Sequence, residues 1–321
     1  MSSLADTSAS PPIVARGLVA RYGELVAVDG IDLEARAGTC LGLLGPNGAG
    51  KTTTIEILEG LRPPQGGEVS ILGLSWQESA RKIRHRIGVL LQQTDFQDRL
   101  QVRETLRLFR SFYDRGRDID DVLALVGLQD KKGARVMTLS GGQKQRLAVG
   151  CALVSEPEVL FLDEPTSGLD PQARRRVWEI VEEFKAGGGT VLLTTHYMDE
   201  AEKLADDLII LDHGKVIATG SPSRIIRTLE AESIVEFTLA IDGEGPAPAL
   251  EKDALRALDG VRDIHVLGEV YTLTVTDTRG VLSGLLSFLE ERRILTEDIR
   301  THRPTLEDVF VALTGKHLRD E

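Results

Sequence analysis

The sequence has few features that would cross-link it, bind zinc or carry it through a membrane. Its two cysteines, Cys40 and Cys151, lie far apart, and neither forms a CxxC pair or has a histidine cluster beside it. This excludes a disulfide scaffold and a zinc ribbon. No apolar run approaches the roughly 20 residues that cross a bilayer, and the polar N-terminal segment is unlike a secretory signal. We therefore expect a cytosolic chain without a membrane span.

The sequence also has fewer basic than acidic residues. The 321 residues include 38 Lys and Arg against 50 Asp and Glu, a net charge of −12. An acidic surface repels phosphate backbones at long range, so we expect no nucleic-acid partner. Residues 231–321 carry 10 of the basic and 18 of the acidic residues. This shift, together with four glycines and prolines within residues 243–248, predicts a separate C-terminal domain.

The pattern between residues 13 and 230 predicts an α/β fold. Short aliphatic strands alternate there with amphipathic stretches, which is typical of βα units around a mainly parallel sheet. The clearest strands are Cys40–Leu44, Ile87–Leu91, Val159–Leu162, Val191–Thr194 and Leu208–Leu211. Between about residues 95 and 157 helical periodicity replaces the strands, which predicts an inserted helical subdomain. Residues 1–12 are predicted to be a disordered tail.

Residues 231–321 predict a small α+β domain. The order of apolar patterns is strand, helix, strand, strand, helix, strand, a βαββαβ arrangement. A last helix is predicted at Thr305–Leu313, where Thr305 and Asp308 have the spacing of a capping box. We predict an accessory or regulatory role for this domain.

The segment GPNGAGKTT follows a predicted buried strand and precedes a predicted helix. Its glycines permit a backbone that wraps phosphates with successive N–H groups, its lysine adds a positive charge, and its first threonine hydroxyl can bind Mg²⁺. We identify it as a P-loop. The predicted ATP-binding residues in it are Gly45, Pro46, Asn47, Gly48, Ala49, Gly50, Lys51, Thr52 and Thr53.

A second phosphate-site element is the strand VLFLDEP, which ends in two carboxylates. Asp163 is placed to hold Mg²⁺ with Thr52, and Glu164 to deprotonate an attacking water. Both lie where a parallel sheet binds its ligands. A P-loop with such a strand end fits a small-molecule kinase, a GTPase or a motor ATPase equally well.

The segment LSGGQ decides between these classes. It lies between the two phosphate-site elements and begins a predicted helix, where a hydroxyl and backbone amides form an anion site. The segment comprises Leu139, Ser140, Gly141, Gly142 and Gln143. With this motif the chain resembles the ATP-binding subunit of an ATP-binding cassette (ABC) transporter. The resemblance implies an ABC nucleotide-binding domain in which LSGGQ meets the γ-phosphate held by the opposite subunit.

The same resemblance assigns roles to four further residues. Tyr22 corresponds to the aromatic residue that stacks on adenine, and Gln92 to the glutamine that contacts Mg²⁺ and the catalytic water, although Gln93 is the neighbouring alternative. Asp170 corresponds to the aspartate that communicates across the dimer, and it also fits a helix N-cap. His196 corresponds to the switch histidine that holds Glu164 and the water in place.

The resemblance implies an ATPase that uses Mg·ATP, forms a homodimer and drives a separate integral membrane permease from the cytoplasmic face of the membrane. The ending RPTLEDVFVALTG resembles that of the daunorubicin-resistance type of exporter ATPase, with an ABC-2 type permease and a drug, lipid or other hydrophobic substrate. The alternatives are an import ATPase and a soluble ABC switch that acts on a nucleoprotein complex.

Overall fold

The computed structural model describes residues 10–240 and 250–315. The chain divides into two compact units, residues 1–221 and 222–321. The second unit thus includes the short helix Pro222–Arg227. The change in composition at residue 231 would instead have assigned this helix to the first unit. Residues 1–9 of the predicted tail and the glycine- and proline-rich residues 243–248 lie outside the described residues. No helix within the described ranges is long and apolar enough to cross a membrane.

The first unit contains nine strands and seven α-helices among its described residues. The strands are β1 (Ile13–Tyr22), β2 (Leu25–Ala35), β3 (Cys40–Leu44), β4 (Gly66–Ile71), β5 (Ile87–Leu90), β6 (Val159–Asp163), β7 (Thr190–Thr195), β8 (Asp207–Asp212) and β9 (Lys215–Gly220). The helices are α1 (Lys51–Leu58), α2 (Trp76–Arg84), α3 (Val102–Arg110), α4 (Ile119–Leu125), α5 (Gly141–Leu153), α6 (Pro171–Ala186) and α7 (Met198–Leu204).

A six-stranded sheet forms the centre of the first unit. Its order is β5-β6-β7-β3-β8-β9, with the first five strands parallel and β9 antiparallel to β8. Every residue of β3, β6 and β7 is buried, which explains why these strands have almost continuous apolar sequences. The predicted parallel sheet is therefore confirmed. Because the strands run parallel, the residues that follow β3, β6 and β7 emerge at one edge.

A second, antiparallel sheet has the order β2-β1-β4. The sequence pattern did not predict it as a separate sheet. Exposed polar residues interrupt β1 and β2, and Gly17 and Gly30 within them take positive φ angles at irregular pairings. These irregularities obscure the strict alternation that identifies a strand of this kind.

The predicted helical subdomain is confirmed as α3, α4 and α5. The apolar side chains of Leu106, Val122 and Leu147 are fully buried in its core. The helix α5 begins directly after Ser140, so the packing of this subdomain determines where the LSGGQ segment lies.

The second unit has the predicted βαββαβ order. It contains β10 (Ser233–Leu239), β11 (Val261–Leu267), β12 (Val270–Val275), β13 (Thr296–His302), α8 (Pro222–Arg227), α9 (Lys252–Arg256), α10 (Thr278–Glu291) and α11 (Leu306–Thr314). The antiparallel sheet has the order β11-β12-β10-β13, as expected for a split β-α-β arrangement. Helices α9 and α10 share a core with this sheet. Helix α11 contacts α8 and begins with the predicted Thr305–Asp308 capping box.

Candidate functional site

The glycine-rich segment forms the tight loop that a P-loop requires. It connects the buried strand β3 to α1, which begins at Lys51. A β-carbon on Gly45 would lie 2.4 Å from the Leu211 carbonyl oxygen, and one on Gly50 would lie 2.2 Å from that of Ala27. Gly50 also has a φ angle of 99°. Only glycine fits these two positions, because a side chain would collide with neighbouring backbone.

Lys51 lies buried at the base of this loop. Its ammonium group donates hydrogen bonds to the carbonyl oxygens of Gly45 at 2.8 Å and Pro46 at 3.0 Å, and it lies 3.5 Å from Glu164 Oε1. Burial lowers the pKa of Lys51, and the adjacent Glu164 carboxylate opposes that shift. The ammonium group of Lys51 thus connects the P-loop to Glu164, which directly follows strand β6.

Asp163 is the last residue of β6 and is buried. The hydroxyl of Thr194 in β7 donates a hydrogen bond to Asp163 Oδ1 and accepts one from the Glu164 N–H at 3.0 Å. Burial raises the pKa of Asp163, whereas hydrogen bonds with Thr194 and Thr52 act in the opposite direction. Sequence reasoning did not identify Thr194 as a site residue. The available signal was a hydroxyl residue at the end of an otherwise apolar strand.

The Asp163 carboxylate and the Thr52 hydroxyl also provide a test of whether the site suits Mg²⁺. Both groups are hard oxygen donors, and they contact each other although they come from different elements. Mg²⁺ prefers one or two carboxylates together with substrate phosphates and water. The donor set therefore fits this ion.

The Glu164 carboxylate is the point where the predicted catalytic residues meet. Its Oε2 lies 3.2 Å from His196 Nδ1 and accepts a hydrogen bond from Gln92 Nε2 at 3.5 Å. The His196 ring, followed by Lys51, holds the pKa of Glu164 below its ordinary value although burial acts to raise it. Glu164 is thus anionic at neutral pH and placed to accept a proton. Its φ angle of 48° is strained for a non-glycine residue.

Gln93 points elsewhere. It lines a cavity of about 590 Å³ with Leu91, Phe112 and Tyr113, while Gln92 lies beside Glu164. Of the two adjacent glutamines, the structure thus brings Gln92 to the carboxylate.

The LSGGQ segment forms a capped helix N-terminus. The Gln143 N–H donates to Ser140 Oγ at 3.3 Å, and the Ser140 N–H donates to Gln143 Oε1 at 3.0 Å. Leu139 is buried and anchors the segment, whereas Ser140 and Gly141 are exposed. A β-carbon on Gly142 would lie 2.7 Å from Ala173 Cβ, so glycine permits close packing against α6. The segment thus presents a hydroxyl and backbone amides at the surface.

Asp170 and Tyr22 each have a local partner. Asp170 caps α6, because its Oδ1 accepts hydrogen bonds from the N–H groups of Gln172 and Ala173. The Tyr22 hydroxyl lies 3.4 Å from Thr53 Oγ1, next to the P-loop helix. Tyr22 is 45% exposed, and the Arg62 guanidinium lies 4.0 Å from the centroid of its ring.

Glu200 is a further residue that sequence reasoning missed. Its fully buried Oε1 accepts hydrogen bonds from Thr166 Oγ1 and Trp178 Nε1, each at 2.9 Å. Burial raises the pKa of Glu200. It therefore connects the segment after Glu164 to α6 and α7 beneath the site. The only sequence signal was its place four residues after His196.

Known proteins resemble this chain over most of its length. Residues 28–167 match the family model described as ABC transporter. The chain is 38% identical over 315 residues to the Nod factor export ATP-binding protein I of Burkholderia lata, covering 96% of this chain and 99% of that protein. It is 39% identical over 321 residues to the daunorubicin resistance ATP-binding protein DrrA3 of Streptomyces coeruleorubidus, covering 98% of each.

A solved structure shares the architecture of the first unit. It is the dimeric ATP-binding cassette MJ0796 in a post-hydrolysis state bound to ADP and phosphate, which is 26% identical with a TM-score of 0.60. The similarity covers 65% of this chain and 98% of that one. Because the full-length relatives, the family model and the phosphate-site geometry agree, the chain belongs to the ATP-binding subunits of ABC transporters and is an ATP-binding ATPase.

Proposed function

We propose that this chain powers export through a separate ABC-2 type membrane permease, with a drug, lipid or other hydrophobic compound as the substrate. The names of the Nod factor export and daunorubicin resistance relatives support this assignment. Both similarities extend over nearly the whole chain and so include the C-terminal unit. We assign residues 231–321 an accessory or regulatory role in this complex.

The observation that carries the proposed mechanism is the convergence of Lys51, Gln92 and His196 on the Glu164 carboxylate. The P-loop amides and Lys51 bind the ATP phosphates, and Tyr22 stacks on the adenine. Glu164 accepts a proton from the attacking water, while His196 and Gln92 orient the carboxylate and that water. Bound Mg²⁺ supplies positive charge at the phosphates, and Thr52, Asp163 and Gln92 are the residues that would hold it.

The exposed LSGGQ segment supports a head-to-tail homodimer. A helix N-terminus with exposed amides attracts anions. We propose that the LSGGQ segment binds the γ-phosphate of the ATP that is held by the P-loop of the opposite subunit. Asp170, at the start of α6, communicates between the two sites. Each nucleotide is then enclosed only when the two subunits meet, so ATP binding favours the closed dimer and hydrolysis releases it.

The dimer motion reaches the permease through Gln92 and the helical subdomain. Gln92 lies two residues after the end of β5, and the helices α3 to α5 come after it in the chain. A change at the Glu164 carboxylate therefore alters the connection between the sheet and this subdomain. The chain is thus peripheral, held on the cytoplasmic face of the membrane by its permease.

The variant Glu164→Gln tests the proposed base and the dimer together. It keeps the size of the side chain and removes its ability to accept a proton, so we expect a stable ATP-bound dimer and turnover reduced by orders of magnitude. Light scattering after size-exclusion chromatography with Mg·ATP measures the dimer, and phosphate release measures turnover. The exposed Glu183→Gln on α6 is the matched control. A Glu164→Gln protein that remains monomeric and hydrolyses ATP rapidly would contradict the proposal.

A further inference from the structure

Three possible metal ligands meet in the second unit, in a part of the chain that the ATPase site does not use. Glu236 lies on β10, His302 ends β13, and Asp308 lies in the first turn of α11. One ligand atom from each residue lies within 4.8 Å of those of the other two. The ligands are thus one imidazole and two carboxylates from three separate elements.

The sheet register explains this convergence. In the antiparallel pair β10 and β13, Ile234 lies opposite His302 and Glu236 opposite Arg300. Val235 and Phe237 belong to the core that α9 and α10 share with the sheet. Because side chains alternate along a strand, Glu236 and His302 lie on the other face. Asp308 of α11 approaches this face.

The geometry of His302 and Asp308 suits a metal ion. The imidazole Nε2 lies 3.2 Å from both oxygens of the Asp308 carboxylate, close to the separation of about 3.3 Å between neighbouring ligands around a tetrahedral ion with bonds of about 2.0 Å. The Thr305 N–H and hydroxyl both donate to Asp308 Oδ2 at 2.7 Å. Hydrogen bonds of this kind orient a metal-binding carboxylate and leave Oδ1 available.

Glu236 supplies the third ligand. It is half-buried, yet it has no hydrogen bond or ion pair with any of the residues that the structure describes. Arg300, which lies opposite it in the register, instead forms a 2.5 Å ion pair with Asp298. The Glu236 carboxylate lies near an imidazole and a second carboxylate, and a cation placed among the three groups would offset the repulsion between the two carboxylates.

We infer that Glu236, His302 and Asp308 bind one divalent transition-metal ion of the zinc type, with water completing the coordination. An imidazole combined with carboxylates favours zinc-class ions over Mg²⁺ and Ca²⁺, which prefer oxygen ligands alone. The bound ion links the edge strand β13 and helix α11 to the central strand β10. This inference is independent of the proposed transport function.

Titration with zinc tests the site. The full-length chain is purified with a chelator, and the chelator is then removed. Isothermal titration calorimetry with ZnCl₂ measures affinity, and we compare wild type with Glu236→Gln, His302→Asn and His265→Asn. The last variant is a matched control, because His265 also lies 3.2 Å from an aspartate, Asp263, on the opposite edge of the same sheet. Among the residues that the structure describes, no third His, Cys, Asp or Glu lies close enough to that pair to complete a metal site.

We expect one zinc site per chain that Glu236→Gln weakens at least about 10-fold, His302→Asn removes and His265→Asn leaves unchanged. Zinc should also raise the melting temperature of wild type but not of Glu236→Gln. Because Glu236 has no partner to lose, that variant should melt like wild type without metal. Wild type that binds no zinc, or a Glu236→Gln protein that binds it equally well, would overturn the inference.

Discussion

The substitution Glu59→Gln should make the first unit more stable at neutral and alkaline pH. Glu59 directly follows α1, is only 4% exposed, and neither of its carboxylate oxygens has a hydrogen-bond partner. Burial raises the pKa of Glu59 to about 9, and the charges of Asp163 and Glu56 contribute to the rise. The folded protein therefore holds a neutral acid here at pH 7.

The expected magnitude follows from proton linkage. The unfolded chain releases the Glu59 proton near its ordinary pKa of about 4.3, whereas the folded chain retains it to about pH 9. The folded state thus binds more protons between these values, and stability falls by up to about 1.4 kcal/mol for each pH unit. At pH 7 the accumulated cost is on the order of 4 kcal/mol. Glutamine keeps the shape of the neutral acid and has no proton to lose.

Urea unfolding at pH 5.5, 7.0 and 8.5 measures this difference. The two tryptophans, Trp76 and Trp178, both lie in the first unit, so their fluorescence reports its unfolding. The stability advantage of Glu59→Gln should grow steadily from pH 5.5 to 8.5, whereas the exposed control Glu68→Gln should show a constant difference. An advantage for Glu59→Gln that is equal at pH 5.5 and 8.5 would refute the reasoning.

Three further predictions concern the catalytic site. Thr194→Val removes the hydroxyl that joins Asp163 to the Glu164 N–H. Because an unsatisfied buried group costs about 1–3 kcal/mol, we expect kcat for ATP hydrolysis to fall about 10-fold or more. An unchanged kcat would exclude a role for Thr194 in positioning these two residues. Gln92→Ala should lower the ATPase rate while Gln93→Ala retains it, and the reverse result would reassign the two residues. Asp170→Ser keeps a helix cap and removes the carboxylate. The melting temperature should therefore stay unchanged while the ATPase rate of the dimer falls. An unaltered ATPase rate would show that Asp170 only caps the helix.

Short segments determined several features on their own. The P-loop, the LSGGQ helix start and the Thr305–Asp308 capping box were predictable because each depends on residues a few positions apart. The central strands were predictable because burial on both faces requires a continuous apolar run. These local rules also placed Asp163 and Glu164 at the end of a strand.

Tertiary structure alone decided how distant residues combine. The Thr194 hydroxyl joins the Asp163 carboxylate to the Glu164 N–H because β6 and β7 are neighbours in the sheet, although they are far apart in sequence. Gln92 rather than Gln93 faces Glu164 because of the course of the chain after β5. Glu59 holds its proton because the packed first unit leaves its carboxylate buried without a partner. Burial and long-range contacts depend on the packed arrangement of elements, so no short stretch of sequence contains them.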